Sequence, residues 1–391
     1  MKFEEMNIDE LVLKSIKENG IDSPTDIQLK SIPFIKNGFD VIGQSETGSG
    51  KTIAFGLPIV EMAENKGFLQ ALILAPTREL SIQISNELKK LSKYKKLNIS
   101  TIYGGVPIDN QILELKNADI VVGTPGRVLD HIKRGSMKFE NIKFFVLDEA
   151  DKMIEMGFIE DIKRIERFLP KKRQTLMFSA TMPEYLENIR DNFTNNPMKV
   201  KTKVKVDDSR LKQYYVDIER ENKFSLLVFL INSEMPSKSI IFCESRRDVD
   251  AITENLLVNR IKAQKLHGGL NQKMREKVIS NFYSNKIQIL VATDVAARGL
   301  DVKEISHIFN YNIPKNSEDY VNRIGRTARA GKAGKVINLL SKDDHKNMTN
   351  IISRYSYSIE KIEKPNFPKL KFLFKSFRNS YTKNPHRFIR R

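Results

Sequence analysis

The strongest constraint on this chain is a rhythm. Short apolar runs, ALILAPT, DIVVGT, FFVLDEAD and TLMFSAT, alternate with helical patterns through its first half. A run that is apolar on both faces predicts a strand covered on both faces, and such strands joined through helices form a parallel sheet between helical layers. After Pro197 the rhythm breaks on MKVKTKVKVDDSR, a lysine-rich stretch with no long apolar face, and it restarts with SIIFCES, QILVATD and HIFNYNI. Two α/β domains with a linker at 201–209 are expected. The halves also echo each other, TIYGGV with QKLHGG and DIVVGTPGRVLD with QILVATDVAARGLD, so the domains are expected to be related.

Length and charge narrow the class. The 391 residues, 40% hydrophobic, are enough for two or three ordinary cores. Lys and Arg total 66 against 48 acidic residues, a formal charge of +18 that favours a polyanionic partner such as nucleic acid, although surface lysine also serves solubility. No apolar run approaches the roughly 18 residues of a membrane span, and the acidic, amphipathic MKFEEMNIDELV does not read as a secretory signal. The single cysteine, Cys243, excludes an internal disulfide and any multi-cysteine metal site, so a reducing cytoplasm is expected.

One stretch carries chemistry. GQSETGSGKT, ending at Thr52, lies between the short apolar GFDVIG and the helical pattern IAFGLPIVEMA, a strand–loop–helix junction. Backbone amides freed by Gly48 and Gly50 can close around a phosphate at the helix N-terminus, Lys51 neutralises charge, and the Thr52 hydroxyl can hold Mg²⁺. Ser45 stands where the phosphate-loop pattern has its first glycine; a small residue suffices for the turn. An acidic partner is expected on a neighbouring strand, and FFVLDEAD supplies it: Asp148 at the strand end for the metal, Glu149 beside it to orient or deprotonate water.

The string Asp148-Glu-Ala-Asp151, taken with SETGSGKT, PTREL, TPGR, SAT and NRIGRTAR in this order, resembles the DEAD-box ATP-dependent RNA helicases over about residues 1–363. The resemblance implies two tandem RecA-like domains with ATP bound between them and RNA across both, at 30–200 and 210–363, preceded by a Q-motif segment at 1–29. A serine at Ser45 is usual in that family. The nucleotide site then comprises Phe3, Ile21, Gln28, Ser45, Glu46, Thr47, Gly48, Ser49, Gly50, Lys51, Thr52 and, for the ribose, Asp301, with Thr52 and Asp148 on Mg²⁺. Thr25-x-x-Gln28 alone reads as a helix capping box; the resemblance makes Gln28 the adenine reader, favouring ATP over GTP. Ile21 replaces a frequent aromatic residue.

Lys51, Glu149, Arg326 and Arg329 are the implied catalytic residues, the arginines reaching the γ-phosphate from the second domain, so that hydrolysis requires closure. Arg323, Arg326 and Arg329 are expected along one helix-like face. Asn322 replaces the family's usual histidine and Ala328 its usual glycine. Asp151, Ser179, Thr181 and Arg298 couple ATP to RNA. The implied RNA contacts are Pro76, Thr77, Arg78, Gly104, Gly105, Thr124 and Arg127 in the first domain and Gly268, Gln272, Arg275 and Thr293 in the second. These positions suit phosphate contacts more than base contacts, so a monomer acting on single-stranded or short duplex RNA with little sequence preference is expected, with ribonucleoprotein or ribosomal assemblies as partners. A DNA translocase of the same superfamily or a nucleotide-gated RNA clamp are the alternatives; Gln28 with the D-E-A-D string favours RNA, and no catalytic position is defective.

The tail, 364–391, mixes nine basic residues with six aromatics and no acid. Phe372, Phe374, Phe377, Tyr381 and Phe388 are expected to stack on unpaired bases as an RNA-holding arm.

Overall fold

The structure, a computed structural model, describes residues 2–45, 48–182, 186–187, 190, 192–202, 211–297, 305–328, 333–355 and 358–373. The first sheet contains β1 (Val41–Gln44), β2 (Ala71–Leu74), β3 (Ile99–Ile102), β4 (Ile120–Gly123), β5 (Phe144–Asp148), β6 (Gln174–Ser179) and β7 (Met198–Lys201), in the order β3-β4-β2-β5-β6-β1-β7. The second contains β8 (Leu211–Asp217), β9 (Ser239–Phe242), β10 (Ala263–Leu266), β11 (Ile289–Ala292), β12 (His307–Asn310), β13 (Gly334–Leu340) and β14 (Glu360–Lys361), in the order β10-β11-β9-β12-β13-β8-β14. Seven strands on, the order is the same, and every pairing is parallel. The echo between the two halves of the sequence is therefore a repeat of topology.

Each central strand feeds two cores. In β5, Phe144 and Val146 face one buried cluster and Phe145 and Leu147 the other, all 4% exposed or less. In β9, Ile240 and Phe242 divide in the same way from Ile241. This two-sided burial is why the strands read as unbroken apolar runs rather than as alternating ones. The covering helices of the first domain are α1 (Glu10–Glu18), α2 (Asp26–Lys36), α3 (Lys51–Met62), α4 (Arg78–Leu91), α5 (Ile108–Leu115), α6 (Pro125–Lys133), α7 (Ala150–Glu155) and α8 (Ile159–Glu166). Those of the second are α9 (Lys223–Glu234), α10 (Arg246–Val258), α11 (Gln272–Tyr283), α12 (Asp294–Ala297), α13 (Ser317–Ile324) and α14 (His345–Tyr355). Among the described residues no helix is long and apolar enough to cross a membrane.

Two expectations need correction. Phe3, expected at the nucleotide, is 1% exposed within the first core, so its ring has no open face to offer a base. The tail is not free from 364 onward. As far as Leu373 it is a strap on the second domain: Ile362, Phe367, Leu370 and Phe372 pack on that core, with Phe372 4.9 Å from Phe224 and Phe367 6.2 Å from Phe229. Asn255 clamps the strap by donating to the Leu373 carbonyl at 3.0 Å and accepting from the Leu373 amide at 2.9 Å, while Ser225 Oγ accepts from the Leu370 amide at 2.9 Å. Burial of its ring removes Phe372 from the expected stacking set. Phe374, Phe377, Tyr381 and Phe388 lie outside the described residues, as does 203–209 of the expected linker.

Candidate active site

In a parallel α/β sheet the loops leaving the carboxyl ends of the strands share one edge, and ligands bind there. In the first domain the loops and helix starts after β1 to β4 bring Ser45, Gly48–Thr52, Pro76–Arg78, Gly104-Gly105 and Thr124–Arg127 to that edge, while Asp148 and Ser179 end β5 and β6. Gly268 and Thr293 hold the matching positions after β10 and β11.

The loop after β1 is built for close approach. Gly48 and Gly50 have φ of 83° and 92°, a region costly for side chains, and Gly50 starts α3 with no side-chain cap on its first turn. Lys51 is 6% exposed, and its Nζ donates to the Ser45 carbonyl at 2.8 Å. The Ser45 amide donates to the Ser179 carbonyl at 3.0 Å, tying this loop to the end of β6. Ser45 Oγ lies 2.8 Å from Ser49 Oγ, so the serine in place of glycine supplies an internal bond. Gln28 closes the capping box, its Oε1 accepting from the Thr25 amide at 2.9 Å, and its Nε2 donates to the Gly50 carbonyl at 3.0 Å, joining α2 to the phosphate loop. A Cβ on Gly50 would meet that Nε2 at 2.3 Å, so the glycine also makes room for the glutamine. Ile21 is half-buried on the first core. Glu46 and Thr47 lie outside the described residues.

Asp148 is 3% exposed, and burial raises its carboxyl to about 7 against the opposing pull of Lys51. Its Oδ1 accepts from the Glu149 amide at 3.0 Å. Glu149 sits at φ 51°, ψ 50°, left-handed backbone that a non-glycine residue adopts at a cost of the order of 1 kcal/mol. That bend marks the passage from β5 into α7. An uncapped helix start beside a sealed carboxyl that a cation would relieve fits a phosphate group bound with a divalent metal. Asp151 accepts at Oδ2 from the Thr181 amide at 3.0 Å and from Thr181 Oγ1 at 2.8 Å, while Ser179 Oγ accepts from the Asp151 amide at 3.3 Å and donates to the Thr181 carbonyl at 2.6 Å. The D-E-A-D turn and the S-A-T turn are thus one hydrogen-bonded unit.

The second domain corrects the arginine face. Arg323 turns inward, 3% exposed, with Nε and Nη2 on the two carboxylate oxygens of Asp294 at 2.6 and 2.8 Å and Nη1 on Asn310 and the Asn312 carbonyl. Four of its N–H donors are bonded inside the domain, and Arg326, 6% exposed with Nε donating to the Asn322 carbonyl at 3.3 Å, lines the same strand-end cleft beside Asp294 and Asp319. Ala328 has φ 55°, which explains why glycine suits its position. Arg298, Asp301 and Arg329 lie outside the described residues.

The expected RNA residues separate into two groups. Arg78 lies along the Gly104-Gly105 backbone, where a Cβ on Gly105 would meet its Nη1 at 2.2 Å, and that Nη1 donates across the cleft to Gln272 Oε1 at 2.8 Å. Arg275 donates to Glu79 from the other domain. By contrast, Thr77 Oγ1 caps α4 by accepting from the Leu80 amide, and Arg127 donates to Gln111 and to the Val106 carbonyl. Pro76 is buried, Thr124 and Thr293 are half-buried, and Thr124 begins α6 without a side-chain cap bond. Sequence reasoning assigned no role to Glu79, or to Arg246, whose guanidinium lies against Gly268. Ser245, capping α10 just after β9, marks a helix start at the ligand edge and would have pointed to Arg246.

Comparison with known proteins agrees with this architecture. The DEAD/DEAH box helicase profile matches residues 25–189, and the helicase conserved C-terminal domain profile matches 222–331. The DEAD-box ATP-dependent RNA helicase CshA of Geobacillus kaustophilus is 43% identical over 366 residues, 93% of this chain and 78% of that protein. Dbp5 of S. cerevisiae bound to RNA and ADP BeF3 superposes with a TM-score of 0.86 at 30% identity, covering 93% of this chain and 95% of that one. A DEAD box protein from the hyperthermophile Methanococcus jannaschii is more similar in sequence, at 41% identity over 93% of this chain and 99% of that one, yet superposes with a TM-score of only 0.56. In sequence, topology and the layout of its strand-end motifs, this chain belongs to the DEAD-box ATP-dependent RNA helicase family.

Proposed function

We propose that this RNA helicase hydrolyses ATP at the strand-end cleft only when RNA holds the two domains together, and that it uses closure to separate or remodel short stretches of RNA locally. The observation that carries this is the pair of direct side-chain links across the cleft, Arg78 to Gln272 and Arg275 to Glu79, made by residues on the expected RNA path. The likeness in domain placement to the form of Dbp5 bound to RNA and ADP BeF3 supports it.

In this mechanism the amides at the start of α3 and Lys51 receive the phosphates, and Gln28 joins the adenine pocket to the loop through the Gly50 carbonyl. Thr52 and Asp148 would hold Mg²⁺, which would supply positive charge to the phosphate oxygens. Glu149, at the left-handed bend after Asp148, orients the attacking water and accepts its proton. Arg326 and Arg329 come from the second domain to stabilise charge on the transferring group, an effect of about 10³ to 10⁵ in rate where such arginines operate. Asp151, Ser179 and Thr181, with Arg298, relay the state of the site to the RNA path. The contacts are to backbone, so sequence preference is low. The protein is proposed to act as a cytoplasmic monomer that meets its RNA in ribonucleoprotein or ribosomal assemblies.

The test is ATPase activity in titrations with RNA and with DNA of equal length. Stimulation by RNA alone, lost in Arg326→Ala and Arg329→Ala while ATP still binds, is the expected result. Equal stimulation by DNA would make the protein a general translocase, and full activity without any nucleic acid would remove the closure requirement.

A further inference from the structure

Two loops on the expected RNA path are joined through one side chain that no motif contains. Gln111, on α5 and 5% exposed, donates from Nε2 to the Tyr103 carbonyl at 3.2 Å, next to Gly104-Gly105. Its Oε1 accepts from Arg127 Nη1 at 2.9 Å, on the first turn of α6, and Arg127 Nη2 donates onward to the Val106 carbonyl at 3.1 Å. Arg127 Nε is buried with no hydrogen-bond partner, 3.8 Å from Asp130, so the plane of this guanidinium is set by Gln111 and Val106.

The orientation of the amide is itself fixed from behind. His131 is fully buried on α6, with Nε2 3.3 Å from Gln111 Oε1 and Nδ1 2.8 Å from Ser136 Oγ. Because Gln111 must offer Nε2 to a carbonyl and Oε1 to a guanidinium, the His131 nitrogen facing Oε1 has to be the protonated one. Nδ1 then accepts from the Ser136 hydroxyl at 2.8 Å, a proton it shares with the His131 carbonyl 3.1 Å from the same Oγ. Burial, with Arg127 and Arg134 nearby outweighing Asp130, lowers His131 to about 4, so the ring is neutral and carries the single proton this arrangement needs. Every polar link of Gln111 ends on, or braces, one of the two loops, and both acceptor positions of its Oε1 are taken.

We propose that Gln111, oriented by His131, is a positioning residue that fixes the spacing between the Gly104-Gly105 loop and the Thr124–Arg127 helix start, and thereby sets RNA affinity independently of ATP chemistry. The proposal rests on the assignment of both loops to RNA contact. Two rigid presenting loops bind a phosphate backbone only when their separation matches it, and small misplacements are costly.

The experiment uses the full chain with Gln111→Leu, His131→Leu and His131→Gln. It measures the RNA concentration that half-saturates ATPase activity, kcat at saturating RNA, KM for ATP, and amide exchange of 103–106 and 124–127 with and without RNA. Gln111→Leu should raise the half-saturating RNA concentration about tenfold, the scale of a lost charge-assisted bond, with kcat and KM for ATP unchanged. His131→Leu should weaken RNA binding in the same way. His131→Gln, whose amide can place an N–H where Nε2 stood, should restore it. Wild-type RNA affinity in Gln111→Leu, parallel loss of ATP binding, or equal damage from His131→Gln and His131→Leu would overturn the proposal. If RNA fails to protect 103–106 and 124–127 in the unaltered protein, the assignment of the loops falls first; protection there with unchanged affinity in Gln111→Leu sinks the proposal alone.

Discussion

Arg275 of the second domain donates twice to Oε1 of Glu79 in the first, from Nη2 at 2.6 Å and Nε at 3.0 Å, with both side chains largely buried at 14% and 11% exposure. Removing one member strands the other charge in the cleft, whereas exchanging the two keeps the attraction. Glu79→Arg and Arg275→Glu should each raise the half-saturating RNA concentration at least about tenfold. The double exchange should recover most of that loss. Absence of recovery would mean that each residue acts on RNA separately.

The proposed mechanism divides the work at the phosphate loop between Lys51 and Glu149. Lys51→Ala removes the buried cation that faces the phosphates and should abolish ATP binding in a fluorescent-nucleotide titration. Glu149→Gln keeps shape but removes the proton acceptor, so ATP affinity should persist while turnover falls by about 10² to 10⁴. Wild-type turnover in Glu149→Gln would take the water-orienting role away from it.

Gln28 bonds both its own helix start and the Gly50 carbonyl. Gln28→Ala therefore removes the amide proposed to read the base and loosens the loop together. ATP should outcompete GTP in the unaltered protein, and the substitution should raise KM for ATP and narrow the preference. Equal use of the two nucleotides by the unaltered protein would leave Gln28 with its cap and its bond to Gly50 only.

The strap makes a stability prediction in place of a binding one. Phe372→Ala opens a gap against Phe224 and should destabilise the second domain by about 2 kcal/mol, read as an earlier thermal transition. RNA affinity at low temperature should be unchanged. A loss of RNA affinity with no thermal shift would return Phe372 to the stacking role.

Ala328 holds left-handed backbone at φ 55°. Ala328→Gly should relieve about 1 kcal/mol of strain, partly offset by the greater freedom of glycine in the unfolded chain. A small rise in the thermal transition is expected, with RNA-stimulated turnover retained or increased. A fall in both would show that the alanine methyl has a packing role.

The sequence by itself determined a great deal. Uninterrupted apolar runs specified strands buried on both faces, and the break after Pro197 separated two sets of them, because strand and helix periodicity act over a few residues and need no distant partner. The site motifs were legible for the same reason: G-S-G-K-T and D-E-A-D are local strings whose chemistry follows from a strand end or a helix start. Tertiary structure decided what depends on residues far apart in the chain. Arg275 and Glu79 are separated by 196 positions, and nothing local in either helix marks them as partners. Phe3 and Phe372 read as available aromatics, yet burial in a core and under a strap took both. Arg323 and Arg326 read alike at helical spacing, but Arg323 forms a bidentate pair with Asp294 while Arg326 bonds back to the Asn322 carbonyl. An aromatic ring or a guanidinium has the same local signature whether packed or free; desolvation and the partner that offsets it decide between the two, and both exist only once the sheets have closed and the domains have met.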